Sequence, residues 1–185
     1  MDNTTSTIIP KALTATFADI SKTYDGTTSA TAGVGTLSGV ETIDAGKVSV
    51  SASAAYDQRN AGSRIVNYSG VALSGDEAAN YSIATTATGA GTITPKALTA
   101  TFADITKVYD GTTSATAGAG TLSGVETVDT GKVSVSASAA YDEKNAGRRT
   151  VNYTGVTLSG SEAANYSIAT TATGAGTITP KALTA

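Results

Sequence analysis

The segment KVSVSASAAY, Lys47–Tyr56, alternates between apolar residues and serines from Val48 to Ala54. One side of the segment carries the apolar residues, Val48, Val50, Ala52, Ala54 and Tyr56. A period of two residues places alternate side chains on opposite faces of an extended chain. The segment therefore predicts a β-strand with one buried face, and the same letters recur at Lys132–Tyr141.

The recurrence extends over most of the chain with a period of 85 residues. Residues 10–94 align with residues 95–179 without a gap, and only twelve of the 85 paired positions differ. Such a period identifies an array of similar modules rather than one large globule. We predict two tandem repeats with these bounds, and we expect residues 1–9 to end a preceding repeat and residues 180–185 to begin a following one.

Two further runs in each repeat have a strand pattern. The run ALTATFADI groups three apolar residues on one side, Leu13, Ala15 and Phe17. The run RIVNYSGVALS changes phase at Gly70, which predicts a β-bulge. Its apolar residues are Val66 and Tyr68 before the shift and Val71 and Leu73 after it. Three of the differing positions accept unlike side chains and are expected to be peripheral: Ile65 (Thr150), Val34 (Ala119) and Ser63 (Arg148).

Turn signals separate these runs, among them Asp25-Gly26, Ser38-Gly39 and Asp44-Ala45-Gly46. Asp-Gly readily supplies the positive φ of a tight hairpin turn. About seven short strands per repeat indicate an all-β fold, and we expect sandwich-like modules of immunoglobulin-like or β-grasp-like topology. Ser74 with Glu77 matches a helix capping box, as does the equivalent pair in the second repeat, and predicts one short helical turn per module.

The phrase TITPKALTA joins the repeats at Thr92–Ala100 and returns at Thr177–Ala185. It contains no flexible Gly/Ser spacer, and Pro95 fixes its own φ and biases Thr94 towards extended geometry. We therefore expect the last strand of one module to pass directly into the first strand of the next. If both strands run in the same direction, the modules form a stiff head-to-tail rod.

The composition argues against several functional classes. The net charge is −3 and no dense basic face is visible, so nucleic acid is not an expected partner. There is no apolar run long enough to cross a bilayer and no signal-peptide pattern, so membrane insertion is not expected either. The chain has no cysteine, which a cytosolic protein and an exported surface protein can share.

Two residue types that many enzymatic sites use are missing. Histidine and cysteine are both absent, which removes Ser-His-Asp and Cys-His machinery and the common zinc-ligand sets. The acidic residues lie singly along turns without EF-hand spacing, so we expect no metal and no cofactor. Asp76 and Glu77 could form a glycosidase pair, but Asp76 is replaced by Ser161 in the second repeat. We therefore predict no enzymatic activity.

Several separated motifs occur in the same order in both repeats. In the first they are KTYDGTTSAT from Lys22, then GTLSGV, YDQRNAG, VNYSGVALSG, EAANYSI and TITPKALT. Together they resemble the YDG repeat of large bacterial surface adhesins of the filamentous-haemagglutinin-like and biofilm-matrix types, and the resemblance covers both repeats from end to end. It implies an extracellular location at the bacterial cell surface and an extended stalk made of such repeats.

The resemblance also marks signature positions, which we interpret as structural. They are Tyr24, Asp25, Gly26, Asn80, Tyr81 and Pro95, with Tyr109, Asp110, Gly111, Asn165 and Tyr166 in the second repeat. The Tyr of each triplet is expected in the core or at its rim beside a tight hairpin turn, with the Asp accepting local backbone hydrogen bonds. The Asn should close the helical turn, and the Tyr after it should pack at the start of the final hairpin.

The favoured function is a non-enzymatic structural stalk repeat that holds a distal binding region away from the cell for adhesion or biofilm formation. The expected partners are neighbouring repeats of the same chain, with host or matrix glycans or proteins contacted through other regions, and the chain itself is expected to be a monomer. The alternative is a weak multivalent glycan- or protein-binding module. That alternative needs an exposed aromatic groove, although each repeat has only four Tyr and one Phe.

Overall fold

The computed structural model describes residues 7–184, which divide into two compact units. Unit 1 comprises residues 7–23 and 27–94, and unit 2 comprises residues 24–26 and 95–184. Residues 1–6, within the segment predicted to end a preceding repeat, lie outside the described residues, as does Ala185. The Tyr-Asp-Gly triplet of the first repeat is therefore a structural part of unit 2.

Unit 1 is built from short strands joined by turns. Its strands are Lys11–Ala12 (β1), Thr14–Phe17 (β2), Ile20–Thr23 (β3), Ser29–Ala30 (β4), Gly35–Ser38 (β5), Ser49–Tyr56 (β6), Gly62–Ser74 (β7), Tyr81–Ser82 (β8) and Thr86–Thr94 (β9). Two single turns of 3-10 helix complete it, Thr42–Asp44 and Ala78–Asn80.

Unit 2 repeats this order with one difference near its start. Its strands are Lys96–Phe102 (β10), Ile105–Val108 (β11), Ser114–Ala115 (β12), Gly120–Ser123 (β13), Ser134–Tyr141 (β14), Gly147–Ser159 (β15), Tyr166–Ile168 (β16) and Thr171–Thr179 (β17). Its 3-10 turns are Thr127–Asp129 and Ala163–Asn165. The single strand β10 takes the place of β1 and β2, which are interrupted at Leu13.

Each unit is a curled sandwich of β-sheets, so the all-β prediction is confirmed. The larger sheet of unit 1 has the order β3-β9-β7-β6-β4, and that of unit 2 has the order β11-β17-β15-β14-β12. Opposite it lie the pairs β1-β8 and β2-β5 in unit 1 and the three-stranded sheet β13-β10-β16 in unit 2. In each larger sheet the strand that comes first in the chain pairs in parallel with the strand that comes last in the chain, β3 with β9 and β11 with β17.

The strand patterns read from the sequence are confirmed. In β6 half-buried residues alternate strictly with exposed ones, which are serines and Ala55, and the strand ends at the buried Tyr56. In β7 the register against β6 shifts between Ser51 and Ser53, where two β7 residues face one β6 residue. The bulge lies at Gly70, whose φ of +60° is a left-handed conformation that glycine adopts without strain.

The core of each unit is narrow and aromatic. Phe17 stacks on Tyr68 with ring centroids 4.0 Å apart, and Phe102 stacks on Tyr153 at 4.1 Å. These pairs join the smaller sheet to the larger one. The other fully buried side chains of the sheets are small β-branched residues, Val66, Ile93, Val151, Val156 and Ile178. A core of one aromatic stack and a few branched residues is what an 85-residue repeat poor in large side chains can form.

The peripheral positions are also confirmed, because the side chain of Ile65 is 54% exposed and that of Val34 is 77% exposed. The helical turn after β7 is present at Ala78–Asn80, but the capping box is not formed. Ser74 instead lies in β7, where its hydroxyl pairs with that of Ser49 at 2.8 Å. The other 3-10 turn of unit 1, Thr42–Asp44, was not predicted from the sequence.

Candidate interaction site

The most enclosed polar group of unit 2 is the carboxylate of Asp129, which ends the 3-10 turn Thr127–Asp129 and is fully buried. Its Oδ2 atom accepts two hydrogen bonds of 2.7 Å, one from the hydroxyl of Tyr24 and one from the hydroxyl of Tyr166. The two tyrosine rings meet edge to face, with centroids 5.3 Å apart. Burial of a carboxylate is tolerated here because strong donors reach it directly.

Neighbouring elements hold Tyr166 in place. The residue begins β16 directly after the turn Ala163–Asn165, and its hydroxyl also accepts the backbone N–H of Glu126 at 3.1 Å. Burial, together with the hydrogen bond to Asp129, raises the pKa of Tyr166 to about 12. The hydroxyl therefore keeps its proton and remains a donor to Asp129 at neutral pH.

Unit 1 contains the same arrangement, but within residues 7–184 no second tyrosine donates to its aspartate. Tyr81 donates to Oδ2 of Asp44 at 2.7 Å and accepts the backbone N–H of Glu41 at 3.1 Å. The hydrogen bond to Asp44 raises the pKa of Tyr81. Asp44 is only half-buried, however, and the neighbouring Ile43 is 78% exposed, whereas the equivalent Val128 of unit 2 is 47% exposed.

The triplet Tyr24–Gly26 fits closely into unit 2. The Tyr24 side chain is 1% exposed. Gly26 has a φ of +77°, and a Cβ atom added there would lie 2.7 Å from Cγ1 of Val128. Glycine is therefore required twice over at this position, by its backbone conformation and by the close approach of Val128.

The second triplet, Tyr109–Gly111, has the same backbone form in an open setting. Gly111 has a φ of +79°, and no atom of the described residues lies within 4 Å of the Cβ that could be added there. Asp110 Oδ1 accepts hydrogen bonds from Lys107 Nζ at 2.8 Å and from the backbone N–H of Thr112 at 2.9 Å. These donors, Lys107 foremost, lower the pKa of Asp110 to about 2, and they hold the triplet in shape.

Comparison with known proteins identifies the family. The model of the YDG domain matches residues 9–88 and again residues 94–174. The chain belongs to the YDG domain family. No curated protein and no solved structure matches the chain. The two YDG matches follow the two repeats that the internal period defines.

The structure corrects two details of the expected roles of the signature residues. The hairpin prediction was wrong, because β3 and β4 on either side of the first triplet pair with different strands, β9 and β6. The prediction that Tyr81 starts the final hairpin was wrong as well. Tyr81 lies in β8, which pairs in parallel with β1 rather than with β9. Asp110 does accept a local backbone hydrogen bond, and Tyr109 is half-buried against the core of unit 2.

The remaining signature positions of the YDG domains have local roles. The Asn80 amide donates to Oε2 of Glu77 at 2.7 Å across the 3-10 turn, and Asn165 donates to Glu162 at 2.8 Å in the same way. Asn80 is exposed, whereas Asn165 is 4% exposed. Pro95 is the single residue between β9 and β10.

Sequence reasoning missed the two aspartates at the centre of the site. It treated Asp44 only as part of a turn signal, Asp44-Ala45-Gly46, and did not single out its counterpart Asp129. The available signal was that Asp is retained at this position while its neighbours Ile43 and Ala45 differ between the repeats. That signal does not reveal which hydroxyls reach the carboxylate.

The described residues offer little else that resembles a chemical site. No group of three or more acidic side chains that could hold a metal ion occurs within residues 7–184. No helix in this part of the chain is long and apolar enough to cross a membrane. The aromatic side chains of the first repeat, Phe17, Tyr24, Tyr56, Tyr68 and Tyr81, are all buried, so they line no exposed aromatic groove.

Proposed function

We propose that the tandem YDG domains are non-enzymatic structural stalk repeats of a bacterial cell-surface adhesin. In this role they act outside the cell and hold a distal binding region away from the surface for adhesion or biofilm formation. Membership of the YDG family, the near-identical repeats and the commitment of aromatic residues to the core all support the proposal.

The observation that carries the proposal is a parallel strand pair in each larger sheet, formed by the strands that come first and last in the chain. In unit 2, β11 and β17 are paired from Ile105 with Gly176 to Val108 with Thr179. A force that pulls the start of β11 and the end of β17 apart acts along these strands, so their hydrogen bonds must break together. A module that bears load in a stalk needs this shear geometry rather than one in which bonds open one after another.

Single-molecule pulling on unit 2 tests this role, and the absence of cysteine from the chain allows attachment at chosen sites. The double variant Asp104→Cys/Lys181→Cys loads β11 against β17 in shear. The control Arg148→Cys/Lys181→Cys pulls the adjacent ends of the antiparallel strands β15 and β17 apart. Asp104, Arg148 and Lys181 are all exposed, so the substitutions should not disturb folding.

We expect the shear pair to rupture at a force several-fold higher than the unzipping pair. Equal forces in the two directions would contradict a load-bearing role. Screening the whole chain on a glycan array and on adhesion substrates then tests the alternative, a weak multivalent binding module. Binding that is lost on substitution of exposed residues, together with equal rupture forces, would favour that alternative.

A further inference from the structure

The two repeats carry the same acceptor site, and within residues 7–184 a Tyr-Asp-Gly triplet fills only that of unit 2. The filled site is the Asp129–Tyr166 pair with Val128 beside it, and it binds Tyr24–Gly26. The open site is the Asp44–Tyr81 pair with Ile43 beside it. The open site and the filled site therefore differ mainly in whether a triplet is present.

The open acceptor already has the geometry of the filled one. The hydrogen bond from tyrosine to aspartate is 2.7 Å in both units, and the bond from the backbone N–H of Glu41 or Glu126 to the tyrosine hydroxyl is 3.1 Å in both. In unit 2 the second tyrosine shares the same Oδ2 atom with the first. Oδ2 of Asp44 can thus accept a second hydroxyl without rearrangement.

The triplet of the second repeat, which has the residues needed to fill such a site, is also held in the required conformation. The triplet Tyr109–Gly111 ends in a glycine with a φ of +79°, against +77° for Gly26 in the filled site. Lys107 and Thr112 fix its carboxylate, and the hydroxyl of Tyr109 has no hydrogen bond within the described part of the chain. Two surfaces that need no reordering lose little conformational entropy when they bind.

We infer that the Asp44–Tyr81 site of one chain binds the triplet Tyr109–Gly111 of a second copy of the same chain. The Tyr109 hydroxyl donates to Oδ2 of Asp44, and Gly111 lies against Ile43, as Tyr24 and Gly26 do with Asp129 and Val128. Donor and acceptor are different surfaces, so the contact is heterologous and joins copies head to tail. The inference rests on the observed triplet site and does not depend on the stalk function.

The contact is small, so the association is expected at high concentration only. Sedimentation velocity and translational diffusion by NMR, up to about 1 mM chain, cover the range in which such a contact binds. The wild-type chain should form dimers and longer species as concentration rises. A chain that stays monomeric throughout this range would overturn the inference.

Two variants separate the donor from the acceptor. Tyr109→Phe removes the donated hydrogen bond to a carboxylate and should weaken association at least about tenfold. Ile43→Glu blocks the acceptor at a residue whose side chain is 78% exposed, so the fold should be retained. Circular dichroism checks folding, and Asp44→Asn provides a second acceptor variant.

Mixing the two variants gives the decisive result. Each variant alone should remain largely monomeric, whereas an equimolar mixture should form dimers, since the intact Tyr109 triplet of one meets the intact Asp44 site of the other. No larger species should appear, because the triplet of the Tyr109→Phe variant and the acceptor site of the Ile43→Glu variant are both blocked. Failure of the mixture to associate, or association of either variant as strong as that of the wild-type chain, would overturn the head-to-tail contact.

Discussion

The Asp44 and Asp129 regions are the same local structure in two different environments. Each aspartate ends a 3-10 turn. Each also accepts a hydrogen bond from a tyrosine hydroxyl in the strand that follows the second 3-10 turn of its unit. Asp129 is fully buried under Tyr24, whereas Asp44 is half-buried. The local sequence therefore forms the pair, while a residue 105 positions away in the chain decides how deeply it is buried.

The strongest test of this comparison removes each carboxylate in turn. Asp129→Ala leaves two buried hydroxyls without their acceptor and should lower the free energy of unfolding of unit 2 by about 3 kcal/mol. Asp44→Ala removes the acceptor of one hydroxyl at a half-exposed site and should cost about 1 kcal/mol in unit 1. Denaturant unfolding followed by NMR, at residues that differ between the repeats, measures both values. Equal losses would show that the burial of Asp129 has no energetic consequence.

The next test removes only the hydroxyl of each triplet tyrosine. Tyr24→Phe should lower the free energy of unfolding of unit 2 by about 2 kcal/mol, because it deletes a buried hydrogen bond to a carboxylate. Tyr109→Phe should change it by less than about 0.5 kcal/mol, since its hydroxyl has no such bond within the described residues. The same NMR-detected unfolding measures the pair, and a Tyr24→Phe value as small as that of Tyr109→Phe would contradict the assigned role of Tyr24.

A smaller difference is expected at the two triplet glycines. Gly26→Ala and Gly111→Ala both place a side chain at positive φ, which costs about 1 to 2 kcal/mol. Only at Gly26 does the new Cβ also press on Val128, at 2.7 Å, so Gly26→Ala should cost about 1 kcal/mol more than Gly111→Ala. Thermal unfolding of the matched variants gives this difference directly, and identical melting behaviour would mean that Val128 moves aside freely.

The smallest expected effect is a shift in tyrosine ionisation. The folded protein holds the Tyr166 proton more tightly than the unfolded chain does, because the pKa is raised from 10.0 to about 12. The resulting stability is complete below about pH 10 and is lost as the pH rises towards about 12. An ultraviolet titration should show that Tyr166→Phe removes a tyrosine that ionises near pH 12. An unchanged titration curve in that region would contradict the assigned burial and hydrogen bond of Tyr166.

Much of the fold was predictable because its signals are local. The alternation in β6, the phase change at Gly70 and the peripheral place of Ile65 can each be read from a few consecutive residues. The helical turn after β7 was found for a mistaken reason, since Ser74 continues the strand and pairs with Ser49. The predicted hairpin at Asp25-Gly26 failed because an Asp-Gly turn signal does not specify which strands pair on either side of it.

The sequence by itself determined the repeat and the strand faces, because duplication and alternation can be read directly from the order of the residues. It could not distinguish Tyr24 from Tyr109 or Asp44 from Asp129, which have the same residue types at equivalent positions. Only the tertiary structure decided that Tyr24 reaches Asp129 while Tyr109 keeps a free hydroxyl within residues 7–184. The physical reason is that a hydrogen bond to a buried carboxylate depends on where distant segments meet in space, and two identical local sequences can meet different neighbours.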